Sequence, residues 1–162
     1  MIIDSSAELG ITGEAVFKKM AEARGMIVTP ATKNENMFNH IDYFLDKPGS
    51  EQISVDVKGI KKSNRDGKSL IDEMWIEFYN VRGDKGWIHG KANLIAQQVN
   101  DNIFYIFDRE DLLKQVNKLV KWNLPMVKSP RQALYRLYQR WQRQDVITLV
   151  KLKDLKPIRI WE

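Results

Sequence analysis

The chain has 162 residues, 43% of them apolar, which suits one domain (1–162) with a full hydrophobic core and excludes a disordered protein. It has no cysteine and only two histidines, which excludes disulfides, Cys-ligated zinc and Cys nucleophiles and disfavours a His-rich metal site. The formal net charge of +5 permits a nucleic-acid partner but does not prove one.

The first half of the chain predicts one helix followed by strands. Its predicted elements are a helix from Thr12 to Gly25, a strand at 26–29, a polar loop at 31–36, a strand at 39–45, a turn at 47–50 and a strand at 52–58. The helix is predicted from apolar residues at helical spacing, and the last strand from strict alternation of apolar and polar residues.

The second half of the chain predicts more strands and a second helix. Its predicted elements are a polar loop at 61–69, a strand at 74–81, a glycine-rich loop at 83–90, a hairpin of strands 94–99 and 103–107, a helix capped by Asp108 and a loop at 122–130. Residues 134–141 fit either a helix or a hairpin with 146–150, and we favour the hairpin. This order predicts a mixed α/β (α+β) fold with one central mixed sheet flanked by helices.

The N-terminal residues lack the basic segment and apolar run of a signal peptide. No stretch approaches the roughly 18 apolar residues that cross a membrane. We therefore expect a soluble protein of the cytoplasm that has no membrane partner.

The strand at 52–58 carries a candidate site on its polar face. Asp56 and Lys58 are two residues apart and project to the same side of the strand. A hairpin through residues 47–50 would bring Asp42 close to Asp56. Two neighbouring carboxylates repel each other and are stable together mainly with a cation between them. With no cysteine and few histidines, that cation is expected to be Mg²⁺ or Mn²⁺.

These residues resemble a known superfamily. The sequence His40-Ile41-Asp42, followed by Asp56-Val57-Lys58 on the next strand, resembles the PD-(D/E)XK nucleases, with Ile41 where the name pattern has proline. Glu14 corresponds to the Glu that often lies on the preceding helix, with Glu22 as an alternative. The motif Asp56-Val57-Lys58-Gly59, with Trp75-Ile76-Glu77-Phe78 and Gly86-Trp87-Ile88-His89-Gly90, resembles a subgroup of uncharacterised phage proteins.

The resemblance implies a restriction-endonuclease-like core with extra C-terminal strands and metal-dependent hydrolysis of DNA phosphodiester bonds. Asp42, Asp56 and the carbonyl of Val57 would bind Mg²⁺ or Mn²⁺. Lys58 would position the attacking water or stabilise the transition state, and Glu14 would orient water or complete the metal shell. DNA would be the partner, a homodimer is possible, and a phage protein of this kind would act in the host cytoplasm.

Simpler interpretations stay open. Asp56 and Lys58 also fit a solvated strand face, Glu14 a charge at a helix N-terminus, and Glu77 either an additional ligand or a surface carboxylate. Three basic residues of the 61–69 loop fit either contacts to the DNA backbone or a solvated loop; they are Lys61, Lys62 and Arg65. The alternative functions are a catalytically inactive nuclease fold that binds nucleic acid or a protein, and a structural or inhibitory phage protein.

Overall fold

A computed structural model describes the backbone of residues 5–60 and 72–162 and the side chains of 13–60 and 72–162. The three helices of these residues are α1 (Ser5–Ala23), α2 (Lys33–Asn39) and α3 (Arg109–Leu119). The eight strands are β1 (Ile27–Pro30), β2 (Tyr43–Asp46), β3 (Ile53–Lys58), β4 (Glu73–Tyr79), β5 (Leu94–Asn100), β6 (Ile103–Asp108), β7 (Val146–Lys151) and β8 (Arg159–Trp161). The predicted mixed α+β class is confirmed.

Six strands form a central mixed sheet in the order β1-β2-β3-β5-β6-β8. β3 and β5 are parallel, and the other neighbours are antiparallel. A parallel pair needs a crossover connection. In this chain the crossover contains β4, so β4 lies outside the central sheet and pairs with β7 instead. The predicted central mixed sheet is confirmed, and β4 and β7 form a separate two-stranded sheet.

The two faces of the central sheet are covered differently. Helix α1 packs on one face, where Phe17 and Ala21 are fully buried against a cluster that includes Val55 and Val57 of β3. On the other face, a larger cluster joins α3, the β4–β7 sheet and the sheet residue Ile95. The alternation of β3 thus directs its apolar residues Val55 and Val57 toward α1 and directs Asp56 to the opposite face.

Helix α1 begins at Ser5 rather than at the predicted Thr12, although it ends as expected before Gly25, whose φ is +81°. Gly13, next to the predicted start, lies inside α1 where this helix crosses the end of β3. A Cβ there would lie 2.9 Å from Gln98 Oε1 and 3.0 Å from Gly59 Cα. Gly13 is therefore needed for close packing of the helix on the sheet.

The predicted polar loop at 31–36 and the start of the predicted strand at 39–45 are corrected by α2. This helix has a capping box, in which the Thr32 side chain accepts from the Glu35 N–H and the Glu35 carboxylate accepts from the Thr32 N–H. His40 ends α2 in the left-handed conformation, with φ +54°, and β2 begins only at Tyr43. The two reciprocal bonds stabilise a helix in a segment whose polar composition suggested a loop.

The remaining predictions are largely confirmed. The turn at 47–50 joins β2 to β3, β5 and β6 form the expected hairpin, and Asp108 caps α3 through the Asp111 N–H. The favoured hairpin of 134–141 with 146–150 is wrong, because 134–141 forms neither a helix nor a strand. Leu134 and Tyr138 make only isolated bridges to β7, whose main partner is β4. Among the described helices, none is long and apolar enough to cross a membrane.

Candidate metal centre

The β2–β3 hairpin places Asp42 beside Asp56. Asp42 directly precedes β2, and its N–H donates to the Val55 carbonyl at 2.9 Å. Its carboxylate reaches further along β3, where Oδ2 accepts from the Val57 N–H at 2.7 Å. Two hydrogen bonds therefore hold Asp42 against β3 on both sides of Asp56, and the two carboxyl groups lie next to each other.

Asp56 is a buried carboxyl group whose charge is only partly compensated. The residue is 4% exposed, and Lys58 Nζ lies 3.1 Å from its Oδ2. That oxygen nevertheless accepts no hydrogen bond of normal geometry from the described residues. Burial raises the pKa of Asp56 to about 7; the Lys58 ammonium opposes this rise, and the Asp42 carboxylate adds to it.

Helix α2 fixes the orientation of the Asp42 carboxylate. Asn36 Nδ2 donates to Asp42 Oδ1 at 2.8 Å and also to the Ile41 carbonyl at 3.2 Å. Each Asp42 oxygen thus accepts one hydrogen bond from a fixed donor. Because a carboxylate oxygen has two lone pairs, each also retains one for a cation.

Lys58 lies between the Asp56 carboxylate and an aromatic ring. Its ammonium is 4.7 Å from the ring centroid of Trp87, a buried residue of the Gly86–Gly90 loop. Lys58 also lines a pocket of about 290 Å³. Other residues that line this pocket are His40, Glu73, Trp75, Glu77 and Gln97. The lysine is thus reachable from a polar cleft beside the two carboxyl groups.

Glu14 is electrostatically coupled to the same group of side chains. Its pKa is raised by partial burial and then by the charge of Asp42, and it is lowered by Lys58. Tyr43 donates a long hydrogen bond of 3.5 Å to the Glu14 carbonyl, and burial, Glu14 and Asp42 raise the pKa of Tyr43. Glu14 therefore lies close enough to feel both charges, and its predicted role in the centre stays a prediction.

The alternatives to Glu14 are placed differently. Glu22 is exposed and lies eight residues further along α1, about 12 Å at 1.5 Å per residue. Glu77 lies on β4 and lines the pocket that Lys58 also lines. The pKa of Glu14 responds to the charges of both Asp42 and Lys58, which supports Glu14 as the glutamate of the centre.

These contacts do not test several of the predicted site residues. Val57 donates its N–H to Asp42, whereas ligation by its carbonyl stays a prediction. Lys61, Lys62 and Arg65, the predicted DNA contacts, lie outside the described residues. Within residues 13–60 and 72–162, no group of three or more His, Asp or Glu side chains is arranged to hold a metal ion.

Two residues of the centre were not predicted from the sequence. Asn36 was assigned to a loop, although the spacing Thr32-Lys33-Asn34-Glu35 is a capping-box signal that indicates the helix carrying it. Trp87 was assigned to a structured loop without a role. Its contact with Lys58 depends on the crossover between β3 and β5, and no local pattern indicates it.

No family model, curated protein or solved structure matches this chain. The chemistry of the centre therefore rests on its geometry. Two adjacent carboxyl groups provide oxygen ligands of the kind that Mg²⁺ and Mn²⁺ prefer, and one of their oxygens accepts no hydrogen bond of normal geometry from the part of the chain that the structure describes. A lysine beside them provides a positive charge that can face an anionic substrate.

Proposed function

We propose that this protein is a metal-dependent nuclease that hydrolyses DNA phosphodiester bonds at the centre formed by Asp42, Asp56 and Lys58. The observation that carries the proposal is the pair of adjacent carboxyl groups, in which Asp56 is buried and its Oδ2 accepts no hydrogen bond of normal geometry from the described residues. A buried carboxylate whose charge is only partly compensated is costly, and a divalent cation would complete the compensation. The similarity to the PD-(D/E)XK pattern supports the same assignment.

The residues of this chain would have distinct roles. Asp42 and Asp56 would hold the cation, with the Val57 carbonyl as a further ligand, and the hydrogen bond from Asn36 would keep the Asp42 carboxylate in one orientation. A bound Mg²⁺ or Mn²⁺ supplies Lewis acidity and lowers the pKa of water. Lys58 faces the phosphate and stabilises the negative charge that increases in the transition state. Glu14, at the edge of the centre, orients water.

The raised pKa of Asp56 supports its proposed role as a metal ligand. Burial raises the pKa of Asp56 to about 7, so the protonated form of Asp56 is substantially populated near neutral pH when no cation is bound. Metal ligands must be deprotonated, so cation binding releases this proton. The metal-free centre therefore avoids a buried negative charge beside the Asp42 carboxylate, and Asp56 would ionise when a cation binds.

The first experiment is a titration with Mg²⁺ and with Mn²⁺, read by thermal melting. Each metal should raise the melting temperature of the wild type, and Asp56→Ala and Asp42→Ala should abolish the rise. Asp46→Ala is the matched control, because Asp46 lies on the same hairpin but bonds to Gln52 Nε2 at 3.0 Å instead of joining the centre. If Asp56→Ala keeps the full rise, the metal centre is wrong.

The second experiment tests the reaction with linear, branched and single-stranded DNA in the presence of either metal. We expect the wild type and Asp46→Ala to cleave at least one substrate and Asp56→Ala to be at least about 1,000-fold slower. A wild type that binds metal but cleaves none of the three substrates would favour an inactive nuclease fold that binds nucleic acid or a protein. Equal activity of wild type and Asp56→Ala would refute the enzymatic proposal.

A further inference from the structure

Lys58 has two partners of different kinds. One is the Asp56 carboxylate, with 3.1 Å between Lys58 Nζ and Asp56 Oδ2, and the other is the Trp87 indole, 4.7 Å from the same nitrogen. The Lys58 side chain is 26% exposed, so water shields the pair with Asp56 only in part. Trp87 is 7% exposed and belongs to the core cluster shared by α3 and β4. The indole is therefore a fixed surface, and the lysine is the movable partner.

We propose that Trp87 is a positioning residue that holds the Lys58 ammonium in the centre while a divalent cation occupies Asp42 and Asp56. The inference deepens the proposed function and rests on it. A cation bound to Asp56 neutralises the carboxylate and repels the Lys58 ammonium. The face of an indole attracts an ammonium through its quadrupole and does not bind Mg²⁺ in its place. Trp87 thus provides a partner for Lys58 that metal binding does not remove.

The loop that carries Trp87 is attached to β4 at its first end. Gly86 N–H donates to the Phe78 carbonyl at 2.8 Å, and a Cβ at Gly86 would collide with the Glu77 carbonyl. Only glycine allows this approach, so the backbone next to Trp87 is pressed against β4. The position of the indole is consequently set by the sheet that β4 forms with β7.

The same loop is attached at its other end to the segment that leads into Asp42. A Cβ at Gly90 would lie 3.0 Å from both the Asn39 carbonyl oxygen and His40 Cβ, and the Lys91 N–H donates to that carbonyl at 3.0 Å. His40 Nε2 lies 3.2 Å from the Lys85 carbonyl oxygen on the approach to the loop. The loop that holds Trp87 against Lys58 therefore also packs on the segment before Asp42. Gly86 and Gly90 allow these two close approaches because they have no side chain.

The first test reads the Lys58–Trp87 contact directly by NMR of the full chain. The ε-methylene protons of Lys58, assigned with Lys58→Ala, should show an upfield ring-current shift, and Trp87→Leu should remove it. Saturating Mg²⁺ should leave the shift in place in the wild type. Trp122→Phe is the matched control. Trp122 packs on Phe78 of β4, with 5.1 Å between ring centroids, so this variant changes a tryptophan near the same strand that holds the Trp87 loop. Movement of these protons to ordinary lysine values on adding Mg²⁺ would overturn the proposal.

The second test separates positioning from metal or substrate binding. In Trp87→Leu we expect kcat to fall about 10-fold, with KM and the Mg²⁺ midpoint of the thermal shift unchanged. Trp87→Phe, which keeps an aromatic face and fills more of the core, should recover part of the loss. An unchanged kcat, or a loss confined to KM or metal affinity, counts against positioning. If the wild type cleaves no DNA, the proposed function fails, and the NMR experiment still decides whether Trp87 retains Lys58.

Discussion

Two buried aspartates of this protein are compensated in opposite ways. Asp145 is fully buried, and Arg140 satisfies both of its oxygens, with the backbone N–H 3.2 Å from Oδ1 and Nε 2.6 Å from Oδ2. Asp56 is almost as buried, but its ion pair with Lys58 provides no hydrogen bond of normal geometry to Oδ2, and its closest acidic neighbour is Asp42. Arg140 makes Asp145 a structural group, whereas Asp56 retains an unused ligand atom.

The number of hydrogen bonds that a buried carboxylate accepts separates a structural charge, such as Asp145, from a candidate functional one, such as Asp56. Buried polar groups are nearly always hydrogen-bonded, so an exception needs a reason. Around Asp145, the turn at residues 140–145 provides the donors locally. Around Asp56, the neighbouring donors serve Asp42 instead, through Asn36 and the Val57 N–H. The following predictions test this contrast, beginning with the largest expected effect.

Removing the partner of Asp145 should be the most destabilising change. Arg140→Ala is expected to lower the free energy of unfolding by about 3 kcal/mol, at the low end of 3–5 because water reaches part of this guanidinium. Urea denaturation measures the loss, and Arg143→Ala, at an exposed position of the same turn, should change it by less than about 0.5 kcal/mol. The metal-induced thermal shift should survive in both variants. Loss of the metal-induced thermal shift in Arg140→Ala, but not in Arg143→Ala, would contradict a purely structural role for Asp145.

Metal stabilisation of the wild type should depend on pH. A metal concentration of 100 Kd should stabilise the protein by about 2.7 kcal/mol. Below the Asp56 pKa of about 7, the metal must displace a proton, so its affinity should fall by up to about 10-fold per pH unit. Thermal melting with Mg²⁺ between pH 6 and 8 measures this, with Asp46→Asn as a control that keeps the dependence. A shift that is equal at pH 6 and pH 8 would contradict the raised pKa of Asp56.

Without metal, Asp56→Asn should stabilise the protein at high pH. The folded-state pKa of Asp56 lies above the unfolded value, so the native state binds more protons between about pH 4 and 7. Ionisation therefore lowers the stability of the wild type as pH rises through this window, and Glu14 contributes in the same direction. The variant should exceed the wild type by about 1–3 kcal/mol at pH 8 and by less at pH 5. A variant less stable than the wild type at pH 8 would show that the Asp56 charge is satisfied.

The smallest effect is expected from the residue that orients Asp42. Asn36→Ala should weaken Mg²⁺ binding about 10-fold, because loss of such a supporting hydrogen bond frees the ligand to rotate. The free energy of unfolding should fall by only about 1 kcal/mol. Asn34→Ala is the control and should leave metal affinity unchanged, because Asn34 is an exposed residue of the same helix and makes no hydrogen bond to Asp42. Equal effects of the two variants on Mg²⁺ affinity would show that Asn36 does not orient Asp42 for metal binding.

Much of the fold could be predicted from local patterns. Alternation identified β3 and its polar face, turn residues identified the β5–β6 hairpin, and Asp108 identified the start of α3. These predictions succeed because period, turn and cap are determined by residues close in the chain. Local patterns are less informative for α2, whose polar composition predicts a loop despite the capping box at Thr32. They also do not indicate that Gly13 approaches Gly59 and Gln98, which are distant in the chain.

The sequence by itself determined that Asp56 and Lys58 share one face of a strand and that Asp42 precedes the neighbouring strand. Tertiary structure alone decided that this face is buried, because Asp56 is level with Ile95 of β5 beneath the crossover that contains β4 and Trp87. The solvated-face interpretation fails for that reason. Burial and the pairing of Lys58 with Trp87 depend on contacts between residues far apart in the chain, and a strand's own alternation does not specify what covers it.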